Sequence, residues 1–405
     1  MDKRQQNIII FILGALAALG PFAIDMYLPG FPAIAKDLRT DISHVALSLT
    51  SYFVGISVGQ LIYGPLVDRF GRKKPLLIGL SLFIVAAVGC AFVPTVEWLI
   101  ALRLLLALGG CVGMVASRAV VRDVFPVKDI PKAFSMLMLV MGVAPIVAPT
   151  IGGFVTAHLG WRYIFAVLAA IGVAVMLLIV FLLPESKGPD KTISLKPKSV
   201  LNEFMGVLKN PVFVTYAFAT STAQAGMFAY IAGSPFVFME IFGLTETQFG
   251  WAFGMNAFGY IAGSQFNNLM LRKRTSAQIT LGSGVVQFTA GMLLLFGNYF
   301  GYLNAAGSLI LIFSYMFCLG VLGPNASALA LAPFARNAGS ASALMGSAQM
   351  ATGAIASVLV STLHNNTAIP MMAVMAGATI ISLGLLLGFK NYSKHSLQLH
   401  PQDQV

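Results

Sequence analysis

Asp25 lies inside Ile8 to Pro32, a stretch that is otherwise apolar or small. An ionisable group at membrane depth is costly enough to be read as a functional site by default. Arg103 interrupts a second apolar stretch in the same way. Burial favours the neutral form of a carboxyl and a nearby guanidinium favours the charged form, and a cargo molecule or a change of exposure can tip that balance. Such a pair can exchange a proton for a substrate. The simpler reading is a static ion pair that pins two helices together. Other chemistries lack their residues. The sequence has no Gly-x-x-x-x-Gly-Lys-Ser/Thr cradle for phosphates. His44, His158, His364, His395 and His400 fall near the ends of apolar stretches or in the tail, with no Ser/His/Asp arrangement and no His/Cys metal spacing. Cys90, Cys111 and Cys318 lie in apolar stretches, where cysteine packs as a small hydrophobe and says nothing of redox compartment. Catalysis is not expected, nor is a metal.

The elements that must position Asp25 and Arg103 follow from composition. The 405 residues are 58% hydrophobic and 10% charged, against about a quarter charged in an ordinary soluble domain. Apolar segments long enough to cross about 30 Å of hydrocarbon recur along the whole length, without the short alternating pattern of a membrane barrel. The expectation is an all-α membrane protein with twelve spans at 8–33, 45–66, 75–94, 97–120, 133–157, 161–183, 211–236, 247–270, 276–297, 303–331, 340–363 and 367–389. An even number of spans puts both termini on one side. Lys3, Arg4, the basic residues of 69–74, Arg122, Lys128, Lys132, the lysines from 187 to 209, Arg272 to Arg274, Arg336, Lys390 and Lys394 fall at the termini or in even-numbered loops. Only Lys36, Arg39 and Arg162 fall in odd-numbered ones. The positive-inside rule therefore places the termini in the cytoplasm. The net charge of +11 has the same origin. It is spread over short segments at membrane borders, so no nucleic-acid partner is expected; the surface partner is membrane lipid. The start of the chain has the outline of a signal peptide, but the length of the first span and the spans beyond it argue that it stays attached.

Pro184 to Asn210 is the longest polar segment and divides the spans six and six. The domains expected are an N-terminal bundle over 1–183, a cytoplasmic linker over 184–210, a C-terminal bundle over 211–392 and a tail over 393–405. Within the linker, Val200, Leu201, Phe204, Val207 and Leu208 recur at helical spacing from Ser199 to Lys209, which suggests an amphipathic helix on the inner membrane face; an irregular solvated loop is the alternative. A two-halved chain should repeat its strongest motif. Gly64-Pro-Leu-Val-Asp68-Arg69-Phe-Gly71-Arg72-Lys73-Lys74 is echoed by Gly263-Ser-Gln-Phe-Asn267 and then Arg272-Lys273-Arg274, with one offset serving both the Gly and the Asp/Asn positions.

Gly64, Asp68, Arg69, Gly71, Arg72 and Lys73 match the loop signature of the major facilitator superfamily, twelve-helix secondary transporters built as two pseudo-symmetric six-helix bundles. Pro145, Pro149, Gly152 and Gly153 resemble the antiporter signature of its drug exporters, with Ala148 where a Gly is usual. Arg103, Gly109 and Gly110 resemble a further exporter signature, with Leu106 where Gln is common. Together with Ile24 to Pro29, Gln60 to Pro65, Arg118 to Asp123 and Ala144 to Pro149, the chain looks like the bicyclomycin-resistance/CflA group of bacterial drug:proton antiporters. The resemblance implies that spans 1, 4, 7 and 10 line a central cavity. Asp25 lies about 12 Å and Arg103 about 9 Å inside the outer ends of their spans, so they can face each other across it.

The resemblance also implies an inner gate of Gly64, Asp68, Arg69, Gly71, Arg72, Arg118 and Arg122 that forms when the protein faces outward. Asp68 can dock on the start of span 11 near Gly339 and Ser340, where the helix dipole favours a carboxylate. Arg118 and Arg122 are expected near the inner end of span 4, pairing with Asp68 or Asp123 or reaching to lipid headgroups. Pro145 and Pro149 each remove a helix hydrogen bond while Gly152 and Gly153 admit a neighbouring backbone, which would make span 5 a bent, tightly packed seal. Tyr27, Gln224, Phe228, Tyr230, Asn256 and Tyr315 are the aromatic and polar residues within spans suited to a roomy, mostly apolar cargo pocket. The expected function is proton-coupled efflux of small amphipathic compounds, such as bicyclomycin- or chloramphenicol-type antibiotics, by alternating access. It would take place in the bacterial inner membrane, by a monomer that needs no cofactor beyond the proton motive force. The alternatives are an exporter of amino acids or short peptides and, in another class, a non-transporting receptor or scaffold.

Overall fold

The computed structural model describes residues 3–126, 130–190, 197–334 and 338–399. Lys128, Lys191, Lys196, Arg336 and the end of the expected tail lie outside the described residues, as do the side chains of Lys3, Arg4, Lys132, Lys198, Lys390 and Lys394. The helices in chain order are α1 (Lys3–Asp25), α2 (Phe31–Asp37), α3 (Ile42–Phe70), α4 (Lys73–Ala91), α5 (Val96–Val124), α6 (Ile130–Leu159), α7 (Arg162–Leu182), α8 (Pro197–Leu208), α9 (Pro211–Pro235), α10 (Glu246–Met270), α11 (Ser276–Tyr299), α12 (Ala305–Leu331), α13 (Ala338–Thr362) and α14 (Ile369–Leu399). Each expected span falls on a long helix. Among the described residues, nine stretches are long and apolar enough to cross a membrane.

The first span departs from expectation. It was read as continuous over 8–33, but α1 stops at Asp25, a 3-10 turn follows at Leu28–Gly30, and α2 begins at Phe31. Pro29 has no N–H to give to the carbonyl of Asp25, four residues back, and Pro32 has none for Leu28, so the ladder cannot run through. The last apolar stretch ends at Phe389, as expected, while its helix α14 runs on to Leu399. Elsewhere the sequence supplies its own stops and starts. Thr245 with Gln248 and Thr275 with Gln278 form capping boxes for α10 and α11, while Asn210 and Asn304 cap α9 and α12. Asp41 caps α3 through the His44 backbone N–H at 2.8 Å. Partial burial works against the Asp41 charge, but its backbone and ring contacts with His44 outweigh it and hold the carboxyl below its ordinary range.

Helices α1 to α7 pack chiefly on one another, and so do α9 to α14. Among the described residues, the pairs α3 with α13 and α6 with α10 carry most of the contact between the bundles. Along α3 and α13 the Thr50 hydroxyl donates to Ser357 Oγ at 2.6 Å, Ser57 Oγ donates to the Ser347 carbonyl at 3.0 Å, and Gln60 packs on Gly346. Farther along α3 the space beside Gly64 is open. The seam is thus sealed toward the end of the molecule away from the N-terminus. The α8 helix falls where the sequence placed one and is seated on the C-terminal bundle through Val207, which packs with Phe213, Ala217, Ala330, Ala341 and Met345; Leu201 and Met205 are exposed.

Candidate functional site

The break after Asp25 decides where its side chain goes. The turn at Leu28–Gly30 touches α9 and α10, so the end of α1 lies on the seam between the bundles. Asp25 is 4% exposed and, among the described residues, accepts no hydrogen bond and forms no ion pair. It stands within electrostatic reach of Tyr52 on α3 and Tyr230 on α9. A buried carboxyl with no partner is in the position a titrating group needs.

Arg103 does not pair with Asp25, so neither the facing pair nor the static ion pair expected from the sequence is present. Its Nη1 donates to the Ala23 carbonyl at 2.7 Å, and its guanidinium carbon lies 4.7 Å from the Tyr27 ring centre and 4.3 Å from that of Tyr52. Stacking on two rings away from water contributes about 2 kcal/mol or more per contact. Arg103 therefore clamps the last turn of α1 from α5 and fixes Asp25 through the backbone. Among the described residues, its Nε and Nη2 have no hydrogen-bond partner.

The antiporter-like residues of α6 serve both bundles. The helix runs unbroken through Pro145 and Pro149. Gly152 lies against the carbonyl of Met26, the residue after Asp25, so α6 backs the break in α1. A Cβ on Gly153 would stand 2.9 Å from the Glu246 carbonyl oxygen, and one on Gly250 would stand 3.0 Å from that of Pro149, so α6 and α10 meet backbone to backbone across the seam.

At the other end of α3, Arg72 rather than Arg118 or Arg122 holds the acidic groups. It donates from Nη1 to Asp68 at 2.6 Å and to the Val67 carbonyl at 2.9 Å, and from Nε and Nη2 to Asp123 at 2.7 and 3.3 Å. Gly71, at φ +83°, makes the turn that brings Arg72 back under α3, a conformation that favours glycine. The backbone N–H groups of Arg72 and Lys73 donate to Glu185, at 2.7 Å for Arg72, and Ser186 Oγ donates to Asp123 at 3.1 Å. The Arg69 carbonyl accepts from Asp190 N at 3.0 Å. Among the described residues Arg118 and Arg122 pair with neither Asp68 nor Asp123, and it is Arg72 that reaches both carboxylates. Asp68 does not dock on α13 either. Glu203 of α8 occupies that place, accepting from Ser340 Oγ at 2.6 Å. Glu185 and Glu203 were missed in sequence; the signal was that they are two of the three acids in a basic linker.

The cargo candidates divide. Tyr27 is closed in by Phe31 and Phe165 and bonds Ser48 Oγ at 2.7 Å, and Tyr315 donates to the carbonyls of Ala223 and Met375 at 3.4 Å; both are fully buried within a single bundle. Phe228 lies on the seam, its ring 4.6 Å from that of Phe53 on α3. Gln224, half-buried, has no polar partner among the described residues. Tyr230 accepts from Asn256 Nδ2 at 3.1 Å. In the second half, Asn267, the echo of Asp68, accepts from Asn325 at 2.6 Å in place of an arginine.

The sequence model described as Major Facilitator Superfamily matches residues 11–357. An uncharacterized MFS-type transporter of Bacillus subtilis is 38% identical over 93% of this chain and 94% of its own length. The bicyclomycin resistance protein homolog of Haemophilus influenzae is 34% identical over 94% and 96%. Multidrug resistance protein MdtL of Escherichia coli is 28% identical over 92% and 93%. Among solved structures, a bacterial homolog of the human lysosomal transporter Spinster, in an inward-facing and unoccupied conformation, matches with a TM-score of 0.69 at 12% identity over 96% of both chains, a likeness of fold. The chain belongs to the major facilitator superfamily, as a multi-pass small-molecule transporter of the bacterial inner membrane and not an enzyme.

Proposed function

We propose that this transporter exports small amphipathic compounds, bicyclomycin- or chloramphenicol-type antibiotics among them, in exchange for protons. The relatives named for bicyclomycin and multidrug resistance support the cargo class. The observation that carries proton coupling is Asp25, a buried carboxyl at a helix break on the seam with no ion pair among the described residues. Protonated, it places no charge at the seam; ionised, it does, and opening the sealed side lets it exchange with the outside. One unit charge moving across about 100 mV is worth about 2.3 kcal/mol, enough to drive efflux without ATP or any other cofactor. In this reading the residues up to 183 and those of 211–392 rock as two bodies in a monomer, with 184–210 as the linker. The termini are cytoplasmic, and the inner gate is the cluster of Gly64, Asp68, Arg69, Gly71 and Arg72. The sealed seam in the half away from the N-terminus supports an arrangement closed to the outside.

The test is proton release from inverted vesicles over a compound panel. Wild type releases protons when cargo is added, and Asp25→Asn reduces the signal at least tenfold while still binding cargo. Undiminished release in Asp25→Asn removes the assignment.

A further inference from the structure

Tyr230 on α9 and Asn256 on α10 are each left with one unmet bond among the described residues, and the turn after Asp25 touches both of these helices. Tyr230 is 2% exposed, its ring stacked on Phe253 at 5.3 Å and edge-on to Phe238 at 6.4 Å. Asn256 Nδ2 donates to its oxygen at 3.1 Å, which uses the phenol as an acceptor and leaves its O–H without an acceptor among the described residues. Asn256 is wholly buried, and among the described residues its Oδ1 has no donor. Buried polar atoms are rarely left so, because each costs the desolvation of the group. The pair thus offers one donor and one acceptor side by side. Asp25, on the same seam, lacks a partner, and its two charge states need different ones. An ionised carboxylate only accepts, whereas a protonated carboxyl also donates.

We propose that Tyr230 and Asn256 are the positioning residues through which the C-terminal bundle reads the charge of Asp25. The ionised carboxylate accepts from the Tyr230 hydroxyl, and the protonated acid donates to Asn256 Oδ1. Each proton gained or lost then exchanges one bond across the seam for another, which ties the charge state to how the two bundles sit. This rests on the proton-exchange reading above.

The experiment is the pH profile of cargo-triggered proton release in inverted vesicles, with thermal melting to check folding. Tyr230→Phe removes the donor for the ionised form and moves the profile midpoint to higher pH by about one unit, the size set by a hydrogen bond to a charged group. Asn256→Leu removes the acceptor for the protonated form and moves the midpoint to lower pH. Tyr315→Phe, which deletes an equally buried hydroxyl within the C-terminal bundle, leaves the midpoint in place. Shifts of the same sign in Tyr230→Phe and Asn256→Leu, or none, overturn the proposal. Asp25→Asn separates the two failures. If it keeps coupled release, proton exchange at Asp25 fails and this inference falls with it. If it loses release while Tyr230→Phe keeps the wild-type midpoint, only the Tyr230 assignment fails.

Discussion

A methyl group on Gly152 would overlap the carbonyl oxygen of Met26, and neither side of that contact is a flexible side chain that can swing away. The backbone of α1 just past Asp25 therefore depends on a missing Cβ in α6. Gly152→Ala should push the break away from the seam at a cost of about 1–3 kcal/mol, the range for forced overpacking. Its thermal midpoint falls and transport drops with it. Gly188→Ala is the comparison, since nothing stands near the Cβ it adds. Equal stability and transport in the two variants would show that the close approach is not required. Arg103 acts at the same scale, since its bond to the Ala23 carbonyl fixes the turn that carries Asp25.

The turn between α3 and α4 works as one unit with the end of α7. The Arg72 side chain is 5% exposed, while Asp68 is 48% and Asp123 16% exposed, so the charge that cannot find water is the cation. Removing it strands Asp123 more than Asp68. Arg72→Leu should destabilise by about 3 kcal/mol, at the low end for a broken buried pair because Asp68 can rehydrate. Arg72→Lys keeps the charge but lacks the fork that reaches two carboxylates, and it recovers part of that loss. Denaturation in detergent orders the three proteins wild type, Arg72→Lys, Arg72→Leu. A Lys variant no better than Leu would mean that fork geometry and not charge holds the turn.

At the scale of the whole molecule, alternating access requires the sealed half of the seam to come apart. Thr50 Oγ1 and Ser357 Oγ are 2.6 Å apart on opposite bundles, close enough for a disulfide, whose Cβ atoms lie about 3.8 Å apart. Thr50→Cys with Ser357→Cys should lose transport on oxidation and recover it on reduction, with Cys90, Cys111 and Cys318 buried and unpaired in the background. Transport at the wild-type rate in the fully cross-linked protein would mean that this seam never opens.

Hydropathy read along the chain alone determined the helices and Asp25 as a residue with no ordinary reason to sit where it does, and the motif from Gly64 to Lys73 determined the family. Those properties belong to contiguous segments, and water and hydrocarbon sort segments wherever they lie in the fold. The partners were decided by the tertiary structure. Arg103 holds a backbone carbonyl instead of Asp25, Arg72 takes both acids offered to Arg118 and Arg122, Glu203 stands at Ser340 in place of Asp68, and Tyr27 and Tyr315 are packed inside their bundles. Each outcome turns on a few ångströms of reach between helices far apart in sequence, and on the missing N–H of Pro29 that ends α1 beneath the seam.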